Sequence, residues 1–156
     1  MTDSLRTFLA HTLDWREAHA GFDAAVADLP HGLRGQRPDG LPHSVWEQVE
    51  HIRIAQRDIL DFCVNAKYQE RAWPDDYWPA RPAPTSARAW TASLDAYHAD
   101  VEEFKRLVLD PTFDLFAKVP WGTGQTHIRE VILTFDHTAY HVGQIVLTRR
   151  LLGAWE

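Results

Sequence analysis

Apolar residues recur at three- and four-residue steps along four long stretches of the chain, the period of an amphipathic helix. The first stretch begins after Asp3 or Ser4 and continues through Leu5, Phe8, Leu9, Thr12, Trp15, His19, Phe22, Val26 and Leu29. It predicts one helix that stops at Pro30-His31-Gly32, followed by a glycine- and proline-rich loop to Pro42. Ser44 with Glu47 three residues later is the reciprocal capping pattern that satisfies two orphan amides, so a second helix starts there and runs to about Asn65.

The stretch WPDDYWPARPAP that follows holds four prolines and three large aromatics. The prolines exclude a regular helix, and the aromatics predict a packed, ordered loop. Thr85 or Ser86 then caps a third helix whose stripe is Trp90, Leu94, Tyr97, Val101, Phe104 and Val108, ended by Asp110-Pro111. After Pro120, Gly122 and Gly124, Thr126 can cap a fourth helix that continues to Leu152, with Gly153 as its left-handed terminator. No strand pattern and no repeat is present. Residues 1–156 therefore read as a single all-α domain, a four-helix bundle with a long Pro/Trp-rich loop between the second and third helices.

The fourth helix carries an unusual line of polar residues. At about 100° per residue, Glu130, Thr134, His137, His141, Gln144 and Thr148 fall within an arc of roughly 80°. The solvent seam lies elsewhere, at Arg129, Asp136, Gly143 and Arg150, while Ile128, Val131, Ile132, Phe135, Val142, Ile145, Val146, Leu147, Leu151 and Leu152 cover the rest. A polar line through a mostly buried helix costs about 1 to 3 kcal/mol for each unsatisfied group, so the fold must supply partners or an ion. His137 and His141 sit one turn apart and can converge on one ion, although the same spacing also fits one core and one exposed histidine. From the second helix, His51 shares a face with Glu47, Ala55 and Asp58 and is the best-placed third ligand; the plain alternative is a surface histidine between Glu50 and Arg53.

Composition narrows the chemistry. With 156 residues, 45% of them hydrophobic and 24% charged, the chain has the balance of an ordinary globular protein and can bury roughly two-thirds of its unfolded surface. Lys and Arg number 16 against 22 Asp and Glu, a net charge of -6 that offers no general attraction to nucleic acid or anionic lipid. The charged N-terminal stretch lacks the apolar core of a signal peptide and no segment reaches the ~18 apolar residues of a membrane span, so the expected location is cytoplasmic. The single cysteine, Cys63, rules out an internal disulfide and a multi-thiolate metal site, which leaves nitrogen and oxygen ligands.

These residues carry a resemblance. TGQTHIREVILTFDHTAYHVGQIVLTRRLLGAW resembles the terminal helix of the DinB-like family, the DNA-damage-inducible and YfiT-type metalloenzymes, with its D-H-x-x-x-H-x-G-Q signature. WPDDYWP resembles the loop after the second helix in one branch of that family. The resemblance covers essentially the whole chain and implies an up-down-down-up order of the four helices. It also implies a divalent ion held by His51, His137 and His141. Many relatives carry Asn where this chain has Thr138, a position that points off the polar stripe.

Three neutral imidazoles suit zinc or nickel, with iron also compatible, and leave a coordination position open, as in catalytic sites. Two reactions on a small-molecule substrate follow. In one, an activated water attacks a carbonyl, with Glu47 or Glu130 accepting the proton, which is hydrolase chemistry. In the other, as the resemblance implies, a low-molecular-weight thiol is delivered to an electrophile. Capping already accounts for Glu47, and the positive helix terminus can account for Glu130. Asp136 and Gln144 are placed to orient the ligating imidazoles. A non-catalytic, metal-stabilised stress-response or binding module is the alternative; it predicts no pocket beside the ion, whereas an enzyme predicts one lined by aromatics such as Trp15, Trp46 or Trp73. The apolar fourth helix also leaves surface for a homodimer partner.

Overall fold

The computed structural model describes residues 2–155, with side chains from residue 4. Five α-helices occur in the order α1 (Thr2–Thr12), α2 (Phe22–Val26), α3 (Val45–Val64), α4 (Ala87–Leu109) and α5 (His127–Leu151). Among the described residues the only β pairing is an isolated bridge between Lys118 and Thr126, and no helix is long and apolar enough to cross a membrane. The protein is all-helical. α3 lies against both α4 and α5, while α1 packs on α4 and α2 on α5.

The starts of α3 and α4 follow their sequence signals. Both halves of the capping box form at α3, where the Ser44 hydroxyl accepts from the Glu47 amide and the Glu47 carboxylate accepts from the Ser44 amide. At α4 the Ser86 hydroxyl accepts from the Ala89 amide. Thr126 precedes α5 but its side chain makes no capping bond; its carbonyl begins the ladder instead by accepting from the Glu130 amide. Gly153 closes α5 with φ of +69°, the left-handed conformation that side chains resist.

The predicted first helix, Leu5 to Leu29, is two helices. α1 ends at Thr12, and residues 13–21 cross to the short α2. The Trp15 ring folds back to meet Phe8 edge-on at 5.7 Å, and Arg16 pairs with Asp23 at 2.7 Å. A Cβ on Gly21 would lie 3.3 Å from the Trp15 carbonyl oxygen, so this crossing brings backbone close to backbone. The apolar period survives the break because both pieces cover the same core: Leu9, Leu13, Phe22, Val26 and Leu29 are all buried. Two buried arginines fasten this N-terminal segment. Arg6 donates to the carbonyls of Val108, Asp110 and Phe113, and Arg149 to those of Ala25 and Ala27, at 2.7–2.8 Å.

The core centres on Phe104, Ile52, Leu60 and Ile145, each at most 1% exposed and worth about 1.5 to 3 kcal/mol on burial. α5 is less enclosed than its composition suggests, since Ile132, Leu147 and Leu151 join Tyr140 on the surface.

Candidate metal centre

α3 and α5 run side by side and bring His51 opposite His137 and His141. One ring nitrogen from each lies within 4.8 Å of the other two. The His51 and His137 Nε2 atoms are 3.1 Å apart, and the three ring centroids are 4.5–4.9 Å from one another. His51 and His141 are buried, and His137 is partly so.

The chain fixes the tautomers of two of these rings. His51 Nδ1 donates to the Tyr77 carbonyl at 2.8 Å, and His141 Nδ1 to the Gln48 side-chain oxygen at 2.6 Å. In each neutral ring Nε2 is then a bare lone pair, the form a metal needs. The Trp78 indole lies flat on His51 at 4.0 Å with planes 6° apart, and His43 stacks on the same indole at 3.7 Å and 9°. This stack holds the His51 ring in its plane while leaving its edge free. Burial lowers the pKa of all three, with the neighbouring imidazoles adding to the effect: His137 falls to about 4 and His141 to about 3. Three neutral imidazoles thus converge, two of them with lone pairs directed by their outer hydrogen bonds. A shared cation, or a single proton on His137 Nε2, answers the contact between His137 and His51. The donor set fits a divalent ion of the zinc or nickel type.

Beside the histidines opens a cavity of about 650 Å3 that includes His51 and His137 in its lining. Its walls are aromatic, from Phe62, Trp73, Tyr77 and Trp121, and Trp73 is 72% exposed at the surface. Two carboxylates line it deep in the fold. Asp58 accepts from the Tyr77 hydroxyl at 2.6 Å and the Tyr68 hydroxyl at 3.2 Å. Glu130, 2% exposed, accepts from Arg129 at 2.7 Å. A smaller cavity of about 240 Å3 is lined by His43, Gln48, Trp78, Tyr140, His141 and Gln144 among others.

The other sequence candidates are distributed unevenly. Glu47 lies outside both cavities; burial alone would raise its pKa, but the hydrogen bonds from Arg37 and Ser44 hold it lowered. Asp136 acts on His137 through its charge alone. Gln144 lines the smaller cavity with His141, while the hydrogen bond to that ring comes from Gln48. Of the aromatics, Trp73 belongs to the histidine cavity, Trp15 to a different cavity, and Trp46 is buried against Trp90. The orienting residues Gln48, Tyr77, Trp78 and His43 escape the sequence reading. Gln48 has a readable signal, since it stands three residues before His51 on the same helical face. The stack has none, because it joins residues far apart in sequence.

No match was found among curated proteins or among solved structures. The family model of the DinB superfamily matches residues 14–145, a span that contains α2 to α4, all three histidines and their orienting partners. The chain belongs to the DinB superfamily.

Proposed function

We propose that this protein is a metal-dependent enzyme in which His51, His137 and His141 hold one divalent ion, zinc or nickel in preference to iron, at the wall of the 650 Å3 cavity. The observation that carries the reading is the convergence of three neutral imidazoles, two with hydrogen-bonded outer nitrogens, beside a cavity that His51 and His137 line and that is large enough for a small-molecule substrate. The packing of α1, α3, α4 and α5 supports an up-down-down-up bundle as the frame, with α2 an accessory on α5.

Such an ion supplies Lewis acidity at neutral pH. The chain's own residues do the rest. Tyr77 and Gln48 keep the ligating nitrogens bare, and Trp78 fixes the His51 ring plane. Phe62, Trp73 and Trp121 exclude water from an apolar part of the substrate. Glu130 shares the cavity with His51 and His137 and is the carboxylate best placed to accept a proton from the attacking group. Asp58, engaged by two tyrosine hydroxyls, positions the Tyr77 loop instead. Hydrolysis of a carbonyl compound and transfer of a low-molecular-weight thiol both use this arrangement. A purely structural ion needs no adjoining cavity, so the cavity favours an enzyme over a metal-stabilised binding module.

The test is metal analysis of protein purified without a metal-chelating tag, beside a His137→Ala, His141→Ala double variant. About one equivalent of metal in the parent and almost none in the variant is expected for a single three-histidine site. Absence of metal from the parent after reconstitution overturns the reading. A loaded protein is then screened with ester, amide and thiol-plus-electrophile substrates, and Glu130→Gln is expected to lower turnover by about 100-fold while leaving metal content unchanged.

A further inference from the structure

A second cavity, of about 550 Å3, is bounded by α1, α2, α4, α5 and the crossing at residues 13–21. It shares no lining residue with the histidine cavity. Phe8, Leu13, Trp15, Phe135 and Val142 give it an apolar wall. The space opens to the surface, where Phe8 is 54% exposed and Ile132 45% exposed, and it has the size and largely apolar lining of a small-molecule site.

Two residues that line this space carry hydroxyls that make no hydrogen bond to the protein among the described residues. Tyr97 is 3% exposed, and its ring stacks on Phe22 at 3.8 Å, yet no hydrogen bond engages its hydroxyl among the described residues. Thr138 is 8% exposed and likewise lacks a hydrogen bond. The other buried threonines of α5, Thr134 and Thr148, satisfy theirs on the carbonyls of Glu130 and Gln144 at 2.9 Å. Neither oxygen is sealed from solvent, since His43 Nδ1 is the one buried side-chain polar atom without a partner among the described residues, so both hydroxyls are open to whatever occupies the cavity. The charges around the cavity do not point to an ionic one. Asp23 is paired with Arg16 at 2.7 Å and His98 at 3.1 Å, and Asp14 and Glu102 both receive Lys105 at 2.8 and 2.9 Å.

We propose that this cavity is a ligand site for a neutral hydrophobic small molecule bearing a hydrogen-bonding oxygen, which Tyr97 and Thr138 engage. It is independent of the metal reading. Because Thr138 and Val142 directly follow His137 and His141 on α5, an occupant here contacts the helix turn that carries both histidines.

The probe for the test is 6-propionyl-2-(dimethylamino)naphthalene, a neutral naphthyl ketone whose emission moves to the blue in an apolar site. Saturable binding with a blue shift is expected, weakened roughly 3- to 10-fold by Tyr97→Phe, the loss of one hydrogen bond. Ala139→Phe and Ile132→Trp, which add bulk at the cavity wall, should remove saturation; Ile132 is 45% exposed, so its variant keeps the fold. His137→Ala should bind the probe as the parent does. Absence of saturation in the folded parent overturns the proposal, as does probe binding that both filling variants retain. Loss of binding in His137→Ala would assign the probe to the histidine cavity and overturn it equally. A dimer in sedimentation that excludes the probe as protein concentration rises would show a second copy covering the site, and that too would overturn the proposal.

Discussion

The two larger cavities that α5 borders differ in how their polar groups are satisfied. Toward α3, the imidazoles of His137 and His141 face His51, and the outer nitrogens of His51 and His141 are already bonded to Tyr77 and Gln48. Toward α1 and α4, one residue further along in each case, Thr138 and Val142 line a largely apolar space onto which two hydroxyls without a protein hydrogen bond open. The two sides differ in kind: converging lone pairs on one, apolar volume on the other. A single helix therefore separates three histidines that could hold a cation from a largely apolar space.

The largest expected effect falls on the first side. His141→Ala should reduce metal affinity by more than about 100-fold, because removing an orienting partner alone typically costs 10- to 100-fold and a ligand costs more. Competition with a chelator measures it, and retention within about 10-fold of the parent would remove His141 from the ligand set. Gln48→Leu, which removes only the acceptor from His141 Nδ1, should cost roughly 10- to 100-fold in the same assay. An unchanged affinity would show that packing alone orients the ring.

The metal-stripped protein should report the same side through pH. The folded values of His137, about 4, and His141, about 3, lie below the ~6.5 of an unfolded imidazole. Between those limits the unfolded chain binds more protons, so stability is fully present above about pH 6.5 and is lost as pH falls toward 4. Urea midpoints should be flat from about pH 8 to 7 and then drop, with a shallower drop in the His137→Ala, His141→Ala variant. Equal slopes in the two proteins would assign the acid sensitivity to other groups.

Arg149 tests the frame of the second side, since it donates to the carbonyls of Ala25 and Ala27 and so anchors α2 to α5. Arg149→Met should cost about 2 to 3 kcal/mol in urea unfolding, the scale of charge-assisted bonds lost at a buried site, with metal binding intact. Loss of metal in a folded Arg149→Met protein would show that the two sides are coupled through the whole helix.

These contrasts are only partly legible in the sequence. α3 and α4 are readable because local signals, a serine cap and an apolar stripe, coincide with the tertiary packing. The N-terminal stretch reads as one helix because Leu9, Leu13, Phe22 and Val26 are buried at helical spacing on both sides of a crossing chain; periodicity records which residues are buried, not whether the backbone between them is continuous. The three histidines are legible because each lies within a long helix whose faces can be counted. The partners that hold them are harder: the Tyr77 carbonyl and the Trp78 stack come from a proline-rich loop whose path no period describes.

Thr138→Val is the smallest perturbation and the finest test of the comparison. Valine keeps the shape of threonine and removes only the hydroxyl. On the stripe, Thr134 and Thr148 bond their hydroxyls to backbone carbonyls one turn back, and replacing either by valine should cost about 1 kcal/mol. At Thr138 there is no protein bond to lose and the hydroxyl is open to the cavity, so the same change should leave the unfolding free energy within about 0.5 kcal/mol of the parent. Metal affinity should stay within about 2-fold of the parent, whereas His137→Ala, which removes the neighbouring imidazole, should lower it by more than about 100-fold. A destabilisation of about 1 kcal/mol at position 138, equal to that at 134 and 148, would mean that its hydroxyl is satisfied in solution and that the second side of α5 has no vacancy for a polar group.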